Sequence, residues 1–168
     1  MEPKFKVARD ERMYVTQKYF CNGHWLLNRE SANLYWFKPI KGLRNIAHGR
    51  YASGISSEPE PACDLDETLT NEVIPKRDGY LKMSADPIGV KFKGPDSDEI
   101  MAYVYSFGND QEIGISPRYV PLLRLGCCFA KDAFSPVLIL DGGTLNDGLV
   151  GIVMPMRLNG VKRIEAKV

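Results

Sequence analysis

Four cysteines, two histidines and several clustered acids are the residues of this chain with the widest chemical reach. Metal binding is the first chemistry they suggest, because thiolate and imidazole are zinc's usual ligands. The nearest thing to a ligand pair is Cys21-x-x-His24, while His48 sits in a different context. A structural zinc needs four ligands, so this is half a site and reads better as a turn that carries both residues. The acids in "EPEPACDLDE" and "GPDSDE" could attract a cation, but their prolines and spacing do not match a calcium loop. Solvated loops are the better reading. Cys127-Cys128 precedes "FAKD" and reads as a pair of small buried residues in a strand. The sequence contains no phosphate-binding glycine loop and no G-x-S-x-G elbow. The expectation is a protein without catalytic residues, metal or cofactor.

The elements that would carry any site follow from composition and pattern. With 168 residues, 44% hydrophobic and 26% charged, the chain has the make-up of one ordinary domain able to bury a core without staples. A net charge of +1 gives no overall pull toward nucleic acid or membrane, so any DNA contact must come from a local patch. No run is long enough to span a bilayer. "MEPKFKVARDERMY" lacks the apolar region of a secretory signal. Cys21, Cys63, Cys127 and Cys128 show no disulfide framework. Free thiols in a reducing cytoplasm are the expectation.

Along the chain, "MYVTQKYF" and "HWLLNRE" read as two strands joined by an "NG" turn. "LYWFKPIKGLRNIA" reads as a strand leading to a short helix. Residues 53–72 are proline-rich and acidic, and read as a long surface loop or insertion. "EIMAYVYSF" is a strand. In "SPRYVPLLRLG", Ser116 suits an N-cap, Pro117 the first helical position and Gly126 the stop. Tyr119, Val120, Leu122 and Leu123 share one helical face, with Arg118, Pro121 and Arg124 on the other. Pro121 makes this helix short or bent. "SPVLILDGG" and "LVGIVMPMRL" are the last strands. The class is α+β, dominated by antiparallel sheet, in a single domain spanning 1–168.

The segments "EIGISPRYVPLLRL", "SPVLILDGG" and "LVGIVMPMRL", covering residues 112–158, resemble the last domain of the bacterial β sliding clamp, the processivity factor of the replicative polymerase. The order and spacing of strand, helix, strand and terminus agree. "CNGHWLLNR" is similar to the "TDGHRLA" turn of the clamp's middle domain, and departs from it at Cys21, Asn22 and Trp25. Two readings of that similarity stand, a genuine echo or a common "NG" hairpin. Residues from about 30 to 110 match the family poorly. Clamps carry three such domains per subunit, so this chain has room for one clamp-like domain with an insertion.

The resemblance implies a non-catalytic role in DNA replication or repair. In clamps, the turn and the C-terminal strand line a groove that receives clamp-binding peptides from polymerases and repair proteins. Carried onto this chain, the groove residues are Gly23, His24, Trp25, Leu26, Pro136, Ile152, Met154, Pro155, Met156 and Arg157. Pro136 stands where the family usually has a small polar residue. Of Met154 and Met156, one is expected to belong to the core and the other to the groove. Clamp helices line the ring's bore, which makes Arg118 and Arg124 the DNA-contact candidates, against a reading as a solvated helix face. The partners implied are replication or repair proteins bearing the motif, DNA if a ring forms, and further copies of the chain. Two modes fit, an oligomeric processivity factor or a lone domain acting as decoy or adapter, as would suit a phage or mobile element. A structural protein or enzyme with a convergent C-terminal half is the alternative. Residues 159–168 run past the family's end and read as an added strand, a lid over the groove, or a disordered tail.

Overall fold

The computed structural model describes residues 5, 7–31, 46–55, 57–61, 66–93, 99–158 and 162–167. The chain begins with a three-strand meander: β1 (Met13–Val15), β2 (Tyr19–Cys21) and β3 (Trp25–Asn28). "MYVTQKYF" is therefore a hairpin in itself, not one strand. Thr16 makes the difference: its hydroxyl accepts from the Tyr19 amide at 3.0 Å, and its own amide donates to the Tyr19 carbonyl at 2.9 Å. A hydroxyl that bonds the backbone a few residues on favours a turn over continued extension. The second turn is the expected "NG" turn, with Gly23 at φ +91°, where a side chain would strain the backbone.

β4 (Gly49–Tyr51) pairs with β1, and a helical segment follows, α1 (Asp66–Thr68) running into a π-turn at Leu69–Val73. The loop expected over 53–72 is thus shorter than composition suggested, because Leu69 is buried and anchors a helical turn. Next come β5 (Leu81–Lys82), β6 (Ile88–Lys93), β7 (Glu99–Phe107) and β8 (Gln111–Ile115). A 3-10 turn (Pro117–Tyr119) passes into α2 (Val120–Leu123). β9 (Cys127–Ala130), β10 (Val137–Leu140), β11 (Leu149–Val153) and β12 (Lys162–Lys167) complete the described elements. The expected strand and helix at 34–47 lie almost wholly outside the described residues, as does Cys63.

The strands form an eight-stranded sheet in the order β4-β1-β2-β3-β11-β10-β9-β5 and a four-stranded sheet in the order β12-β6-β7-β8. All ladders among the described residues are antiparallel. The result is an α+β fold dominated by antiparallel sheet, as the pattern predicted. The larger sheet is buried on both faces at its central strands, which is why these read as unbroken apolar runs such as "VLIL", while β1 and β4 keep one exposed position each. On one face Trp25, Leu27, Val137, Ile139 and Val153 meet Tyr105, Phe107, Ile113 and Ile115 of the smaller sheet and Val120, Leu122 and Leu123 of α2. On the other, Leu26, Leu138, Leu140 and Ile152 pack with Leu69 and Tyr80.

The helix keeps its predicted apolar face, with Val120, Leu122 and Leu123 buried. Its start differs in detail: the Tyr119 amide donates to the Ser116 carbonyl, and the Ser116 side chain makes no cap bond. Pro121 is tolerated because it falls in the first turn of α2, where an amide donor is not needed. Gly126 is required for space and not for left-handed backbone. A Cβ there would collide with the Leu140 carbonyl oxygen.

"LVGIVMPMRL" is not one strand. β11 ends at Val153, and residues 154–158 cross from the larger sheet to the smaller one. The Met154 amide donates to the His24 carbonyl at 2.8 Å, and the Met156 amide donates to the Gly114 carbonyl at 2.8 Å. Of the readings offered for the tail, the added strand is the one observed: β12 pairs with β6.

Candidate functional site

The sequence pointed to two distant stretches, the turn at His24 and the residues after β11. The fold makes them neighbours. β3 and β11 are adjacent and antiparallel, with Val153 opposite Trp25 and Ile152 opposite Leu26. β10 lies on the other side of β11, with Val137 opposite Val153 and Leu138 opposite Ile152. Extending both registers by one residue sets His24, Met154 and Pro136 in one row across three adjacent strands. The Met154-to-His24 hydrogen bond fixes that register on one side. Alternation places the row on the same sheet face as Leu26, Ile152 and Leu138.

The rows differ in exposure. Leu26, Ile152 and Leu138 are 1%, 3% and 0% exposed, beneath Leu69 and Tyr80. His24 is exposed, and Met154, Pro155 and Pro136 are half-buried. Arg157 is exposed beyond them. The end of the sheet therefore presents the Met154 thioether and the Pro136 ring beside exposed His24, next to a packed apolar floor on the same face. This surface can hold an apolar anchor, since methionine repacks around varied shapes.

Several expected groove residues have other places. Trp25 is 1% exposed and packs edge-on against Phe5, with ring centroids 5.4 Å apart, so it is core and not a groove wall. Strand alternation sends it to the face opposite His24's row. Leu26 and Ile152 supply floor beneath Leu69 and do not contact solvent. Met156 packs with Leu158 against Val90, Phe92, Ala102 and Val104 of the smaller sheet, because the chain has already crossed over by that point. Met154 is the methionine left at the row.

Arg118 and Arg124 are both exposed, on the side of the helical segment away from the core. Arg118 is committed within the chain: its Nη2 donates to Glu11 Oε2 at 2.7 Å, and its guanidinium lies over the Phe5 and Tyr119 rings at 5.6 and 5.5 Å. Cys21 is a buried side chain of the apolar floor, its thiol pKa pushed up by burial against an opposing backbone bond from Gly23. The Cys128 thiol donates to the Leu123 carbonyl at 3.1 Å, and burial, helped by Cys127, pushes its pKa up to about 12. Both thiols behave as apolar residues, not as nucleophiles.

Two contributors were invisible in the sequence. Glu11 reads as one charge in "ARDERMY", yet its carboxylate is 9% exposed and accepts from four donors: the Ala8 amide, Asn22 Nδ2, Trp25 Nε1 and Arg118 Nη2. Tyr80 donates its hydroxyl to the Pro136 carbonyl at 2.8 Å and so pins the third member of the row. Burial, then the nearby Asp132 charge, raise its pKa to about 12. Neither role is legible locally, because it depends on Arg118 and Pro136, 107 and 56 positions from Glu11 and Tyr80.

Comparison with protein-family models, with curated proteins and with solved structures finds no significant match. Among the described residues, no helix is long and apolar enough to cross a membrane.

Proposed function

We propose that this protein is a non-catalytic, sliding-clamp-like module of the cytoplasm that captures clamp-binding peptides of replication or repair proteins at the His24–Met154–Pro136 row. One observation carries the reading. The two stretches that resemble the walls of the clamp's peptide groove, some 130 positions apart in the chain, lie side by side and are joined by the Met154-to-His24 hydrogen bond. His24 in the row, and Arg157 where the resemblance sets it at the rim, would supply polar groups to orient a peptide whose apolar side chain sits against Met154.

The decoy or adapter mode is favoured over a ring. Phosphate contact needs a cation free to meet it, whereas Arg118 already serves Glu11. The solution mass separates the modes: a closed oligomer of the 18.9 kDa chain would restore the ring, and a monomer leaves peptide capture alone. The direct test is Met154→Glu, measured by fluorescence anisotropy with a labelled synthetic peptide carrying a clamp-binding motif. Met154 is half-buried at a strand end, so the variant should stay folded. A carboxylate against an apolar anchor should weaken binding by more than about tenfold. Unchanged affinity in a folded variant would sink the proposal.

A further inference from the structure

The turn that carries His24 is held from outside by a chain of hydrogen bonds. Asn22 Oδ1 accepts from the His24 amide at 2.8 Å and the Trp25 amide at 3.0 Å. Asn22 Nδ2 donates to Glu11 Oε1 at 2.6 Å. These partners leave the Asn22 amide one orientation, since backbone N–H groups cannot accept and a carboxylate cannot donate. Glu11 is fixed in turn by Arg118 at 2.7 Å and the Ala8 amide at 3.1 Å. At the far end, the His24 carbonyl receives the Met154 amide.

We infer that Glu11 is a positioning residue for the peptide site, setting the His24 turn against Met154 through Asn22 and itself oriented by Arg118. The inference rests on the peptide-capture reading for its ligand, but not for its geometry. It gives Arg118 a task other than contact with DNA: its charge governs the peptide row from the helical segment, through a carboxylate that touches no ligand. Glu11 is well suited to this, because it joins the N-terminal segment, the β2–β3 turn and the helical segment at one enclosed point.

Asn22→Asp is the discriminating variant. It keeps the oxygen that holds the His24 and Trp25 amides, and replaces the donor to Glu11 with a second carboxylate oxygen. Two carboxylates at that separation stay in contact only while they share a proton; once pH exceeds the pair's raised pKa both ionise, repel and release the turn. Among the described residues, the titratable and charged groups around it are Arg118 and Tyr119 from the helical segment and Asp10 beside Glu11, whereas His24 and Cys21 belong to the opposite face of the sheet. All are common to both proteins, so the ratio of variant to wild-type affinity isolates the new pair. That ratio for the labelled clamp-motif peptide is expected to fall about tenfold near pH ~8 and to recover toward unity near pH ~5. Adding Glu11→Gln to Asn22→Asp restores a donor facing an acceptor and should recover part of the loss near pH ~8.

Amide hydrogen exchange at His24 and Met154, relative to wild type, gives the same comparison without any ligand. If wild type fails to bind the peptide, the functional reading falls, and exchange alone judges the positioning role. Arg118→Gln, an exposed change that should leave folding intact, is expected to loosen both amides and weaken the peptide by about threefold. A pH-independent affinity ratio in Asn22→Asp, or unchanged exchange at both amides in Asn22→Asp and Arg118→Gln, overturns the proposal.

Discussion

Removing one oxygen from Tyr80 tests the link between the buried floor and the row above it. Tyr80→Phe keeps the ring, which is 3% exposed and packs in the Leu26–Ile152 cluster, but deletes the donor to the Pro136 carbonyl. At neutral pH the loss of one such bond should cost about 1 kcal/mol. The alkaline limb adds a second signature. The Tyr80 pKa is raised from 10.0 to about 12, so the folded state holds its proton after the unfolded chain has released it. Stability from this group is fully present below the unfolded value and is lost as pH rises through the folded one. Each pKa unit corresponds to about 1.4 kcal/mol, so wild type should lose at most about 2–3 kcal/mol across this window. Tyr80→Phe has no such proton to lose. Its deficit of about 1 kcal/mol should therefore shrink above pH ~10 and reverse near pH ~11. Tyr105 and Cys128, also raised to about 12, titrate in both proteins and cancel from the difference. Urea unfolding of the pair at pH ~7.5, ~10 and ~11 gives the comparison directly. A deficit that stays constant with pH would show that the hydroxyl is not enclosed and that Pro136 is not pinned by it.

Trp25→Ala should destabilise the fold by about 3–5 kcal/mol, since the indole is enclosed between Phe5 and the sheet and its N–H serves Glu11. Thermal unfolding that moves little, with weakened peptide binding, would return Trp25 to the groove wall. Gly126→Ala should cost more than about 2 kcal/mol, because its Cβ meets the Leu140 carbonyl and neither backbone can give way without opening the β9–β10 ladder. A neutral result in denaturant unfolding would show that the two strands have slack.

The sequence by itself determined the sheet-rich class, the strand at Glu99–Phe107, the "NG" turn and the apolar face of α2. These depend on local periodicity and on residues whose backbone preferences act within a few positions. It also named the two stretches that meet at the candidate site. Only the tertiary structure decided what each residue does there. The central strands of the eight-stranded sheet are covered on both faces and give no polar–apolar alternation to read, so Trp25 and Ile152 looked the same as Met154 until their neighbours were known. Whether "VMPMRL" is strand or crossover turned on Gly114 offering its carbonyl to Met156. Glu11 and Tyr80 acquired their roles from partners up to 107 and 56 positions away, a separation that no local pattern records. Pairing of β12 with β6 likewise reflects an available strand edge, which belongs to the fold and not to the tail.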